Sequence, residues 1–178
     1  NKDKYLFHSF GIKSLAKNPV IIADPSRIHD YFVSEEMINS AVSYFKYFND
    51  NVFKKFNIDL PGKRILDISG DSGAFIKEAE KLGATVAMTE YNLNSVNYAR
   101  DVYKIESARF DINKDNIAEL FPGKFDIILL RAMVMFSLDL NKFLSDLKKI
   151  MHKNTLLIYN SCVYPNLAPI LRWQFDDY

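Results

Sequence analysis

Three acidic side chains stand where an apolar run gives way to a turn: Asp67, Glu90 and Asp111. The first lies inside Ile65-Leu66-Asp67-Ile68 and is followed by the small-residue turn Ser69-Gly70-Asp71-Ser72-Gly73. Pro61-Gly62-Lys63 marks a turn before the run, and a helical pattern starts near Ala74, so the segment reads as strand, tight loop, helix. Such a unit holds nucleotide-like ligands at the carboxyl edge of a parallel sheet. Glu90, at the tip of the next strand, is placed to accept hydrogen bonds from both hydroxyls of a ribose. Asp111, after the third strand, is placed to accept from an exocyclic amine.

These residues need a sheet to bring them to one edge, and the pattern supplies one. The expected strands run Arg64 to Ile68, Thr85 to Thr89, Ala108 to Phe110, Phe125 to Leu130 and Leu156 to Tyr159. Helical patterns fill the gaps: Ala74 to Leu82, stopping at Gly83; Leu93 to Tyr103; and a segment capped by Asp139 that carries Leu140, Phe143, Leu144, Leu147 and Ile150. Strands this apolar, alternating with helices, predict an α/β fold with a parallel sheet covered on both faces. Ahead of them, Ser34 reads as an N-cap with Glu35 and Glu36 in the first turn. Ile38, Ala41, Val42, Phe45, Phe48, Val52, Phe53 and Phe56 then follow at helical spacing over about 20 residues. That apolar stripe is expected to pack on the sheet, a lid or dimer face being the alternative. Residues 1 to 33 show no clear period.

Bulk composition excludes several classes. The chain has 178 residues, 48% of them hydrophobic, enough for one domain with a sizeable core. Its 23 basic and 22 acidic residues are interleaved, so no track for nucleic acid or an anionic membrane is expected. One cysteine, Cys162, forbids an internal disulfide framework, and no run of about 18 apolar residues is present to span a bilayer. A cytoplasmic location is the expectation, and no metal-ligand set is read. Asn1 rather than Met at the first position suggests a fragment or a processed chain.

The acids and the loop together resemble the class I S-adenosylmethionine-dependent methyltransferases, over about residues 60 to 160. That family's first motif runs acid-x-Gly-x-Gly-x-Gly, and here it reads Asp67-Ile68-Ser69-Gly70-Asp71-Ser72-Gly73. The resemblance implies a Rossmann-like sheet of order 3-2-1-4-5, with helices on both faces and the two closing strands of the family's seven missing. It implies S-adenosylmethionine as cofactor, its amino group held by Asp67 directly or through water, and the backbone of Ser69, Gly70, Asp71 and Gly73 passing under the methionyl part. It places Glu90 on the ribose, Asp111 and the Ile112 backbone near the adenine amine, and Tyr91 against the adenine ring. Arg131, after the fourth strand, resembles the arginine of the Arg-x-x-Leu-His-Asp string in small-molecule O-methyltransferases and joins the cofactor-binding set. By the same resemblance residues 1–33 would cover the active site, 34–160 form the core, and 161–178 begin a substrate-binding or C-terminal connection. Without the closing pair, strand 5 is an exposed edge, to be covered by missing chain or by another copy.

The pattern departs from the family in three places. Ser69 and Asp71 stand where glycine is usual. Asp71 adds a side chain, a negative charge and a cost if φ is positive, with Gly70 expected to take up part of that burden. Met135 stands about where the O-methyltransferase histidine would be, so no catalytic base is assigned. Of the histidines, His152 reads as a solvated turn residue before strand 5, while His8 and His29 lie in the N-terminal segment. Tyr159, Asn160, Ser161 and Tyr164 are expected to line a substrate pocket. The Asn/Asp-Pro-Pro-aromatic string of DNA amino-methyltransferases is absent. The leading expectation is methyl transfer to oxygen or nitrogen of a small molecule, and the alternative is a methyltransferase-like binding or scaffold domain without catalysis. A nicotinamide domain is disfavoured because no Gly-x-Gly-x-x-Gly follows the first strand, and no P-loop string is present.

Overall fold

The computed structural model describes residues 33–131 and 134–160. His8, His29, Ser161, Cys162 and Tyr164 lie outside the described residues, as do the side chains of Met135 and Asn160. Helix α1 spans Glu35–Phe48 and opens on Ser34, whose hydroxyl accepts from the Met37 N–H at 3.4 Å. It does not continue as one α-helix to Phe56: Asn49–Phe53 widens into a π-helical turn, which keeps Phe53 buried beside Phe45 and Phe48. The sheet and its crossovers follow as β1 (Arg64–Ile68), α2 (Ala74–Lys81), β2 (Thr85–Glu90), α3 (Leu93–Asp101), β3 (Glu106–Arg109), β4 (Phe125–Arg131), α4 (Leu140–Lys149) and β5 (Met151–Asn160). Short 3-10 turns at Ile117–Glu119 and Val134–Phe136 bracket β4.

The described strands form one sheet of order β3-β2-β1-β4-β5 with all pairs parallel, as the family resemblance implies. Its two faces bury separate apolar clusters. Ile65, Val86, Met88, Ile127 and Leu129 face α1, α2 and α3 through Phe45, Phe48, Phe75, Ile76 and Ala99. Leu66, Ile68, Ala87, Ile128 and Leu130 face α4 and the Ile117 turn through Phe143, Leu147, Phe110 and Phe121. Successive strand residues point to opposite faces. On that alternation Asp67, Glu90 and Arg131 share the face of Ile65, Met88 and Leu129, under α1 and α2. The fold therefore commits three charged side chains to one face at one end of three adjacent strands.

Two strand starts differ from the sequence expectation. β3 starts at Glu106, two residues before the expected Ala108, because its pairing with Ala87–Glu90 sets the register and not its own weak apolar content. β5 starts at Met151, so His152 is part of a strand and not a free turn residue. Its Nε2 lies 3.1 Å from Asp126 Oδ1, the Asn154 N–H donates to its Nδ1 at 3.2 Å, and Thr155 Oγ1 donates to the Phe125 carbonyl at 2.6 Å. These polar links hold an irregular first turn of strand, with the register shift falling between Phe125 and Ile127.

Gly73 shows why the motif loop must end on glycine. It caps α2 with φ +83, and a Cβ there would stand 3.0 Å from the Ala99 Cβ and 3.1 Å from the Ile105 side chain. Gly73→Ala is therefore expected to lower stability by about 2 kcal/mol or more, from the left-handed backbone and the overlap together. Urea denaturation checks it.

Candidate active site

The β1–α2 loop is fastened to the end of β2. The N–H groups of Ser69 and Gly70 both donate to the Thr89 carbonyl at 2.9 Å, and Gly73 N–H closes back on the Gly70 carbonyl. The conformational burden falls on the two residues that replace glycine: Ser69 has φ +69 and Asp71 φ +51. Gly70 does not share it, contrary to expectation, since its φ is not in the left-handed range. What requires glycine at position 70 is space. A Cβ would meet the Met88 Cβ at 3.2 Å and Asp67 Oδ2 at 3.3 Å. A non-glycine residue in this region costs roughly 1–2 kcal/mol, so the loop holds strain at the two positions that flank Gly70.

Glu90 compensates part of that cost. Its Oε1 accepts from the Tyr91 N–H at 2.8 Å and the Asn92 N–H at 3.2 Å, while Oε2 accepts from the Asp71 N–H at 3.2 Å and from the Ser69 hydroxyl at 3.3 Å. Both strained residues are thus tied to the same carboxylate oxygen. Burial pushes the Glu90 pKa above its ordinary value, against the pull of these four hydrogen bonds.

Asp67 is fully buried, and Arg131 takes both of its oxygens. Nε donates to Oδ1 at 3.0 Å and Nη2 to Oδ2 at 2.7 Å. The pairing follows from register, because Asp67 lies opposite Leu129 and Arg131 is two residues further along the same face. Phe75, near the start of α2, presents its ring 4.0 Å from the guanidinium carbon, and Tyr44 of α1 packs on Phe75 at 5.5 Å. Burial would lower the Arg131 pKa, but the Asp67 carboxylate, aided by Asp71 and Tyr44, raises it, so the arginine stays charged. Asp71 is partly buried, and no side chain or N–H of the described residues donates to its carboxylate. Burial first, then repulsion from Glu90 and Asp67, raises its pKa to about 7, with Arg131 opposing.

The remaining expected site residues flank this centre. Tyr91 is 57% exposed, with Arg109 stacked 5.0 Å from its ring centroid and bonded to its carbonyl. Asp111 lies at the same edge, just past the β3 residue that pairs with Glu90, but its carboxylate turns into its own loop. It accepts from the Asn113 N–H at 3.1 Å and pairs with Lys114 at 3.1 Å. Burial raises its pKa, and these two partners more than reverse that, leaving it low. The Ile112 side chain belongs to the core of the opposite face. Residue reading missed Asn113, which clamps the turn after β4 by donating to the Phe136 carbonyl at 2.9 Å and accepting from the Leu138 N–H at 2.7 Å. It also missed Phe75, whose only sequence signal was a place on the apolar face of the Ala74 to Leu82 helix, and Tyr44, which lay outside the stripe read for the first helix. His152, the one histidine among the described residues, sits at the amino end of the sheet, away from this edge.

The donor set fits S-adenosylmethionine. Arg131 is paired with Asp67 and attracts the Asp71 carboxylate, while Glu90 adjoins Asp71 through the Asp71 N–H. Asp71 and Glu90 are both held above their ordinary pKa, so the edge favours a ligand that brings positive charge. An ammonium and a sulfonium supply it.

A family model described as a methyltransferase domain matches residues 42–177. Among solved structures, the chain is similar to an S-adenosylmethionine-dependent methyltransferase from Mesorhizobium loti, with 17% identity and a TM-score of 0.54 over 64% of this chain and 53% of that one. A protein from Pyrococcus horikoshii matches with 20% identity and a TM-score of 0.58, over 79% and 65%. An S-adenosylmethionine-dependent methyltransferase from Clostridium acetobutylicum matches with 17% identity and a TM-score of 0.56, over 71% and 54%. These likenesses show the fold, and the chain spans about half to two thirds of each structure's length. A search of curated proteins finds no match. With the family model spanning most of the chain and the strand order agreeing, the chain belongs to the methyltransferase-domain family, whose cofactor is S-adenosylmethionine.

Proposed function

We propose that the chain binds S-adenosylmethionine at the β1–β2 edge and that the protein methylates an oxygen or nitrogen of a small molecule in the cytoplasm. The observation that carries this reading is the set of acids at the end of the motif loop: Asp67 paired with Arg131, and Asp71 beside Glu90, to which its N–H donates. When bound, the cofactor supplies an electrophilic methyl group on a sulfonium. The chain's own residues do the rest by position: Glu90 holds the ribose, the Ser69–Gly73 backbone lies under the methionyl part, and Tyr91 borders the adenine. Methyl displacement depends mainly on aligning the nucleophile, and the Asn113-clamped turn after β4 is the element beside that alignment. A small acceptor is supported by the balance of 23 basic and 22 acidic residues, which provides no broad positive surface for nucleic acid. Among the described residues no helix is long and apolar enough to cross a membrane.

A second reading, a cofactor-free binding or scaffold domain, is favoured by one observation: Arg131 occupies both oxygens of the motif acid. Calorimetry at neutral pH separates the two. Micromolar binding of S-adenosylmethionine and S-adenosylhomocysteine, with none of NAD, is the expected result. A folded chain that binds neither sulfur ligand would overturn the proposal in favour of the scaffold, and tight NAD binding would point to a nicotinamide domain instead.

A further inference from the structure

We propose that Asp71, and not the motif acid Asp67, receives the α-ammonium of the cofactor, so that cofactor binding is coupled to loss of any proton on the Asp71 carboxylate. The inference rests on the cofactor reading above and concerns which residue recognises the amino-acid end.

Four observations lead to it. The Asp67 carboxylate has no exposed surface and is bridged at both oxygens by Arg131, which is itself pinned against Phe75. An ammonium approaching Asp67 would have to displace a bidentate, charge-assisted pair, the strong form of such contacts. The Asp71 carboxylate, by contrast, accepts no hydrogen bond from the described residues. Its backbone is held in place, with φ +51 and its N–H on Glu90 Oε2, so the side chain leaves the loop at the position where glycine would present none. Strain kept at a ligand-facing loop is an observation that points toward function.

Charge explains what the substitution does. Arg131 cancels Asp67, so the family's usual anion at the end of β1 is neutralised. The groups facing Asp71 are Glu90 on β2, Asp67 on β1 and Arg131 on β4, with Tyr44 of α1 reaching Arg131. Burial is the largest penalty on its charged form, and Glu90 and Asp67 together repel that form more than Arg131 attracts it, which brings its titration to about pH 7. A ligand ammonium favours the charged form. Below that pH, binding must first expel the Asp71 proton, so affinity falls as pH falls. Above it the proton is already gone and affinity levels off.

The test measures dissociation constants of S-adenosylhomocysteine and of 5′-methylthioadenosine, which lacks the amino-acid moiety, from pH 5.5 to 8.5. Wild type, Asp71→Asn and Asp71→Gly are compared. Asparagine and glycine both tolerate the left-handed backbone, and circular dichroism checks that each variant is folded. For wild type, S-adenosylhomocysteine affinity should rise by up to about tenfold per pH unit below neutrality and then flatten. Both variants should lose that slope and bind about 10- to 100-fold more weakly at pH 8. Methylthioadenosine should bind all three alike at every pH. Variants that keep both wild-type affinity and the pH profile for S-adenosylhomocysteine would overturn the inference while leaving the cofactor reading intact. A wild-type chain that binds neither ligand would remove both.

Discussion

Replacing Arg131 by alanine is expected to lower the stability of the fold by about 3–5 kcal/mol, the usual cost of removing one partner from a buried ion pair. The reason is asymmetric. Asp67 has no exposed surface and cannot turn to water, since Ile65, Leu66 and Ile68 fix its strand in the middle of the sheet. Without the guanidinium its carboxylate would remain buried with neither charge partner nor bidentate donor. The Phe75 ring would lose its cation at the same time, adding roughly 0.5–2 kcal/mol. Arg131→Lys keeps the charge but not the planar fork, so an intermediate loss is expected. The double variant Asp67→Asn, Arg131→Met removes both charges together and should recover much of the stability. Urea denaturation of the four proteins at neutral pH reads these differences. A loss below about 1 kcal/mol in Arg131→Ala would place the pair in the range of exposed salt bridges and refute its structural role.

That pair also marks the limit of what the chain reveals before folding. The parallel sheet and the loop at its centre were legible because they are written locally: apolar runs, Gly73 and Gly83 as punctuation, acids at strand ends. The strand order came from the family resemblance that those features carry. The partnership of Asp67 with Arg131 spans 64 positions in sequence and arises from β1–β4 register, which no local pattern encodes. A positive φ at Asp71 was suspected from the missing glycine, but the same conformation at Ser69 was not. Gly70 is small because Met88 crowds it, and the strain passed to its neighbours. Asp111 was placed at the correct edge, yet its carboxylate is occupied by Asn113 and Lys114, a competition between local turn bonding and ligand contact that spacing cannot decide. The early start of β5 escaped notice for a related reason: His152, Asn154 and Thr155 hold it through side chains and not through apolar alternation.

Glu90→Ala is expected to reduce S-adenosylhomocysteine affinity by on the order of 100-fold or more, because two charge-assisted bonds to the ribose would disappear together. The same variant loosens the loop. Ser69 and Asp71 lose the acceptor that offsets their left-handed backbones, and the Tyr91 and Asn92 N–H groups ahead of α3 lose theirs. Glu90→Gln separates the two effects. Its amide oxygen can still accept from one pair of donors, so the loop should hold better than in the alanine variant, while ribose binding stays weak. Methylthioadenosine, which carries the ribose but no amino acid, should lose affinity in both variants, unlike its indifference to changes at Asp71. Repulsion from Glu90 is also the second cause of the raised Asp71 pKa. With Glu90 gone, Asp71 should ionise at lower pH, and the residual binding of S-adenosylhomocysteine should level off earlier along the pH axis. A pH profile that keeps its wild-type midpoint in Glu90→Ala would show that the two carboxylates do not share one electrostatic site.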